Sequence, residues 1–153
     1  MPLEPGFDTA KAHRYFSVTC FNKAWELIEK PDRTAEEDEQ MIRFSQASLW
    51  HWTQREDCSD KNLSIAYWQL SRIYAIVGRA DEALRYASYC LQHSKNEAPF
   101  FLGYAHEAAA RAEKLAGNND AFLKHRELAA NLAGKVVEDE DRLLLLKDIE
   151  TLC

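Results

Sequence analysis

The chain has 153 residues and a net charge of −6, with 46% apolar and 29% charged residues. That length suits one domain with a sizeable core, and the balance excludes the low-hydrophobicity, high-charge mix of a disordered chain. Basic residues are scattered among acids rather than gathered in a stripe, so nucleic acid is not an expected partner. No apolar run approaches the length that spans a bilayer, so a membrane is not expected either.

The five Gly and four Pro fall between periodic segments. No strand-like alternation bounded by tight turns is present, and the reading is helical throughout. Asp8 to Glu29 forms a first helix, with Val18, Phe21, Trp25 and Ile28 recurring at three and four and Pro31 stopping it. Thr34-Ala35-Glu36-Glu37 is a capping box opening a second helix, which runs to about Arg55 with Met41, Phe44, Ser45, Ser48 and Trp52 on one stripe. The polar stretch Asp57 to Asn62 separates it from a third helix, about Leu63 to Val77, stopped by Gly78. Asp81 caps a fourth helix with Ala83, Leu84, Ala87, Cys90 and Leu91 inward. Lys95 to Pro99 is a break. A fifth helix runs from about Pro99 to Ala116 and stops at Gly117. A sixth runs from about Asp120 to Gly134, and Asp139 caps a seventh with Leu145, Leu146, Ile149 and Leu152 on one side. Nothing in the chain marks a second domain or a linker.

The four cysteines, Cys20, Cys58, Cys90 and Cys153, form no C-x-x-C pair, which leaves a zinc ribbon or a thioredoxin-type site without support. Cys20 and Cys90 read as small buried hydrophobes. Met1 to Lys11 carries no basic-then-apolar signal pattern, and a reducing cytoplasm is expected.

Two segments echo each other. In Gly78-Arg79-Ala80-Asp81-Glu82-Ala83 and Gly117-Asn118-Asn119-Asp120-Ala121, a helix ends at Gly, an Asp opens the next, and an Ala follows in its first turn. Internal similarity at such a period signals stacked supersecondary units. Tyr67-x2-Leu70-Ser71-x2-Tyr74, then Gly78, Ala83-x3-Ala87 and Cys90, resembles the tetratricopeptide repeat, whose pattern is W-x2-L-G-x2-Y followed by A-x3-F and P. An aromatic replaces the Trp, Ser the Gly and Ala the Phe. The closing Pro is absent, with Lys95 near its place and Pro99 later. Ala105-x2-Ala108-Ala109-x2-Ala112, then Ala121, keeps the spacing but loses the aromatics. The glycines Gly78 and Gly117 stand 39 residues apart, against 34 in the family. Helices one and two show no motif.

The resemblance implies an all-α fold: about seven antiparallel helices arranged as a tetratricopeptide-like helical-hairpin solenoid. The expected hairpins are 8–56, 63–94 and 99–134, closed by a capping helix at 139–152, in a single domain 1–153. It also implies that one side of the first helix in each pair lines a concave groove where peptides bind. Tyr67, Leu70, Ser71 and Tyr74 face the paired helix, so the groove side carries Ile65, Trp68, Arg72 and Ala75/Ile76. The matching side of the fifth helix carries Gly103, His106, Ala110 and Glu113. Trp68, Arg72 and His106 are expected to converge there, and Trp and Arg are residue types enriched at binding hot spots. Some relatives clamp the acidic tails of heat-shock chaperones with Lys, Asn and Arg. The Lys and Asn are missing here, and that function is not carried over.

Chemistry-bearing motifs are scarce. His13, His51, His93, His106 and His125 form no H-E-x-x-H, and no Glu stands three residues before any His. A metal site would need histidines from different helices, and neither metal nor cofactor is expected. No G-x-S-x-G, P-loop or dinucleotide fingerprint is present, so no enzyme is expected. Ser17, Ser45, Ser48 and Ser71 read as packing positions, and Glu36 to Glu39 as a solvated helix start. In Leu49-Trp50-His51-Trp52 two Trp at i and i+2 cannot share a helix face. Trp52 falls on the core stripe, which leaves Trp50 and His51 for packing between helix pairs or for a ligand.

The favoured reading is a cytoplasmic, non-catalytic module that binds another protein or a peptide, with Trp68, Arg72, His106, Glu113, Trp50 and His51 as candidate contacts and Arg72 free for a carboxylate. The rivals are an enzyme or small-ligand protein using His51, His106 and Glu107 in one pocket, and a homodimer formed through exposed aromatics.

Overall fold

A computed structural model describes residues 1–153. The protein is all-α, with seven helices and no strand. No helix is long and apolar enough to cross a membrane. The chain forms two compact units, Met1–Ser59 and Asp60–Cys153.

The first unit is a helical hairpin of α1, Thr9–Glu29, and α2, Ala35–Thr53. Its helix ends are well satisfied. The Asp8 carboxylate accepts from Lys11 N–H at 3.2 Å, and the Thr34–Glu37 capping box forms with both of its bonds. Arg33 Nη1 donates to the Leu27, Ile28 and Lys30 carbonyls at the C-terminal end of α1. The contact between the helices is lined by small residues. Ser17 and Ala24 of α1 are buried, as are Ser45 and Ser48 of α2 beside Met41 and Ile42. Ser48 Oγ donates to the Ser17 carbonyl at 2.6 Å. The serines expected as packing positions are therefore buried ones. The expected apolar stripe of α1 is not the buried one: Val18 is 46% and Trp25 36% exposed. Within a two-helix unit only the narrow strip facing α2 is covered, and small side chains allow the closest approach there.

The second unit contains α3, Asp60–Ile76; α4, Ala80–Ser94; α5, Pro99–Ala116; α6, Asn119–Ala133; and α7, Asp139–Glu150. Gly78 (φ +79°) and Gly117 (φ +83°) take the left-handed conformation in the turns that end α3 and α5, as the spacing predicts. The expected aspartate caps do not form. Arg79 and Glu138 hold the N-cap positions of α4 and α7 without a side-chain capping bond. Asp81 and Asp139 lie inside the first turn, where a carboxylate still favours the positive end of the helix dipole. α3 begins three residues early because Asp60 to Asn62 supply its first turn.

α3 and α4 pack antiparallel. Ser64 Oγ meets Ser94 Oγ at 2.5 Å at one end, and Ser71 Oγ donates to the Ala83 carbonyl at 2.9 Å at the other. Tyr67 stacks with Tyr86 and His93, and Tyr74 with Tyr86. Cys90 is fully buried, and burial pushes its thiol up to about 12. α5 lies at the centre of this unit. Ala108 and Ala109 meet Ala87, Ala110 meets Phe122 and Leu152, and Gly103 faces Leu132 and Leu145. Alanine on nearly every side lets α5 approach all of its neighbours closely.

Candidate functional site

A charged network runs through the second unit across α3, α5 and α7. At its centre is Glu107, a fully buried carboxylate. Its Oε1 accepts from Arg72 Nη2 at 3.1 Å and from Arg111 Nε and Nη2 at 3.0 and 2.7 Å. Its Oε2 accepts from the Trp68 indole N–H at 3.2 Å. Asp148 of α7 adds a second anion: Oδ1 lies 3.4 Å from Arg72 Nη2, and Oδ2 accepts from the Tyr104 hydroxyl at 2.7 Å. Arg111 Nη2 also donates to Thr151 Oγ1 at 2.6 Å. Two arginines thus balance two carboxylates, which is what burial of charge requires. Burial, aided by the bond to Asp148, holds the Tyr104 phenol well above its ordinary range and so protonated.

Aromatic rings flank the charges. Trp68 meets Tyr104 edge to face at 5.4 Å, and the Arg72 guanidinium lies 5.4 Å over the Trp68 ring. Arg72 Nε is buried without a hydrogen-bond partner. On α7, Leu144 stands one turn before Asp148 on the same stripe and is 51% exposed.

The structure places the sequence candidates as follows. Trp68 and Arg72 do share a face with α5, but the α5 residues that meet them are Tyr104 and Glu107. His106, one position back, is rotated by about 100° on the helix and turns to α6, where its Nδ1 lies 3.0 Å from His125 Nδ1. Gly103 and Ala110 are buried against α6 and α7, and Glu113 accepts from the Asn118 side chain at 2.6 Å. The expected convergence of Trp68, Arg72 and His106 is therefore replaced by Trp68, Arg72 and Glu107. Arg72, expected to be free for a carboxylate, already holds two. Sequence reading missed Tyr104, Arg111 and Asp148 as members of this face. Glu107–Arg111 at i, i+4 was the one local signal.

In the first unit Trp50 and His51 join a different cluster. His13 Nδ1 lies 2.9 Å from His51 Nδ1, Trp50 packs edge-on against His13 at 5.3 Å, and Phe16 stacks on His51 at 5.3 Å. Trp50 is 55% exposed. Trp52 is half-buried, with the Arg55 guanidinium 3.9 Å over its ring centre. Arg55 also bonds Asp57 twice and holds that carboxyl at about 2. His106 and Glu107 leave α5 on different sides, and His51 belongs to the first unit.

Both imidazoles of the α5/α6 pair resist protonation. Burial first, then the neighbouring His125, lowers His106 to about 4, and burial lowers His125 too. An unfolded chain titrates its histidines near 6.5. Between those values the unfolded state binds a proton that the folded state refuses, so stability falls as pH drops from about 6.5 to 4 and levels off below. The His106 ring is only half covered, so solvent screening cuts the loss to about 1–2 kcal/mol. Urea midpoints measured from pH 7.5 to 4 should show this slope in the native protein. They should show less of it in His106→Asn, which removes one partner of the titrating pair.

No protein-family model, no curated protein and no solved structure matches the chain.

Proposed function

We propose that the chain is a tetratricopeptide-like interaction module, cytoplasmic and without chemistry of its own, that binds another protein or a peptide along the face shared by α3, α5 and α7. The observation that carries this reading is the arrangement of that face. α3 and α5 are the first helices of successive hairpins, and with α7 they contribute Trp68, Tyr104, Arg72, Glu107 and Asp148 to one continuous network. Stacked repeats present the first helices of their pairs in just this way, and the motif from Tyr67 to Cys90 supports the same assignment. The buried ion network makes the floor of the groove rigid rather than making it the contact. Contact falls to the rings and leucines at its edge, Trp68 and Leu144, which can dock an apolar or aromatic segment.

The first variant of the test spares the network. Leu144→Glu changes an exposed side chain and should leave the thermal midpoint within about 1–2 °C of the native protein. Proteins captured from lysate by the native chain should be lost by this variant and by Trp68→Phe in part. An unchanged set of captured proteins with both variants folded would remove the groove assignment. Light scattering on the same samples reports whether self-association, rather than a partner, occupies the face.

A further inference from the structure

Two histidine pairs recur in the protein with the same geometry, and the proposed groove uses neither. His13 of α1 and His51 of α2 bring their Nδ1 atoms to 2.9 Å, with ring centres 5.1 Å apart. His106 of α5 and His125 of α6 bring theirs to 3.0 Å, with ring centres 5.2 Å apart. Each pair ties the first helix of a hairpin to the second, and the two lie in separate compact units. In both, the same ring nitrogen is turned to its mate. At that distance the two nitrogens either share one proton or direct two lone pairs at a common cation.

We propose that each pair is a bidentate site for a divalent transition-metal ion of the class that imidazole prefers, Cu²⁺, Ni²⁺ or Zn²⁺, and that the ion clips the two helices of its hairpin together. The geometry supports this. Tetrahedral coordination with metal–nitrogen bonds of 2.0–2.1 Å sets the ligand nitrogens about 3.3 Å apart, so the rings need to open by only about 0.3–0.4 Å. Imidazole-only ligation selects for those three ions over Mg²⁺ and Ca²⁺, which take oxygen. Neutral rings are the ligating form, and burial favours that form at His51, His106 and His125. No group of three or more donor side chains is present, so water fills the remaining positions and binding is correspondingly modest and reversible. At the α5/α6 pair the charges oppose one another: Glu113 favours a cation beside His125, and Lys124 disfavours it. The α1/α2 pair lies instead among the rings of Phe16 and Trp50.

The experiment titrates chelator-stripped full-length protein with Cu²⁺, followed by electron paramagnetic resonance and calorimetry, and then with Zn²⁺, followed by thermal unfolding. Two Cu²⁺ per chain with nitrogen hyperfine structure are expected, and Zn²⁺ should raise the unfolding midpoint by about 5 °C. His106→Asn should remove one ion and His13→Asn the other, while circular dichroism confirms that both variants fold. His125→Asn and His51→Asn repeat each deletion from the opposite helix. Mg²⁺ should produce no shift. Absence of binding at millimolar Cu²⁺ overturns the proposal and leaves each pair as an N–H···N hydrogen bond. Stoichiometry unchanged by a pair's own variants overturns the site at that pair.

Discussion

Replacing Glu107 with alanine is expected to cost about 3–5 kcal/mol of folding stability, the largest effect of any polar substitution in the second unit. The carboxylate is fully buried, and it is the anion on which Arg72, Arg111 and the Trp68 indole converge. Its loss leaves Asp148 as the sole carboxylate beside two guanidinium groups. It also takes the acceptor from part-buried donors, and Arg72 already has one buried N–H without a partner. Glu107→Gln separates charge from shape. It keeps an acceptor for one donor and removes the negative charge, so roughly half the loss should remain. Urea unfolding of both variants gives the two numbers. Removing cation and anion together should cost less than the sum of the single losses, because a buried pair exchanged for packed apolar groups is often near neutral. The cycle of Glu107→Leu with Arg72→Met measures that difference directly. A loss below about 1 kcal/mol for Glu107→Ala would mean that the network is hydrated and does not hold α3, α5 and α7 rigidly.

This network also shows where sequence reading stopped. The helices themselves are legible, because glycines with positive φ, Pro99 and the Thr34–Glu37 box punctuate them. On α3 the inward and outward sides are legible too, since large and small residues alternate at three and four from Tyr67 to Tyr74. α5 carries no such contrast. Ala105, Ala108, Ala109, Ala110 and Ala112 are all buried, so the helix is apolar on most sides and hydrophobic periodicity cannot fix its rotation. An error of one residue there moves His106 onto the side that faces Trp68 and Arg72 and hides Glu107. The partners that would reveal Glu107 are remote: Arg72 is 35 residues away along the chain, and Asp148 joins from α7. Such pairings leave no local pattern. The same limit applies to α1, where serine and alanine rather than Val18 and Trp25 are buried, because what decides burial is the area α2 can cover. It applies again to the histidine pairs, 38 and 19 residues apart in sequence. The requirement for histidines from different helices was readable, but not which ones meet.

The second large effect concerns the seam where α5 meets α6 and α7. Leu145→Ala is expected to destabilise by about 2–5 kcal/mol, since Leu145 is fully buried in a cluster with Ala129, Ala133, Val136 and Ile149. The size of the loss depends on whether neighbours can fill the space, and Gly103 determines that. A Cβ built at Gly103 would stand 2.7 Å from Leu145 Cδ2 and 3.5 Å from Leu132 Cβ. Glycine is present because α5 must approach that closely, not because its backbone is unusual. Gly103→Ala alone should therefore lose about 1–2 kcal/mol: the overlap with Leu145 costs about 1–3 kcal/mol, and the better helix propensity of alanine returns up to about 1. The two changes are complementary. With Leu145 cut back to alanine, the Gly103→Ala methyl enters the vacated space. The double variant should then be more stable than Leu145→Ala by about 1 kcal/mol, through the restored helix propensity and the smaller cavity. Chemical unfolding of the two single variants and the double reads the sign of that coupling. Additive losses would show that Leu145 already rotates clear of Gly103, and that the close approach of α5 and α7 is not what selects glycine at this position.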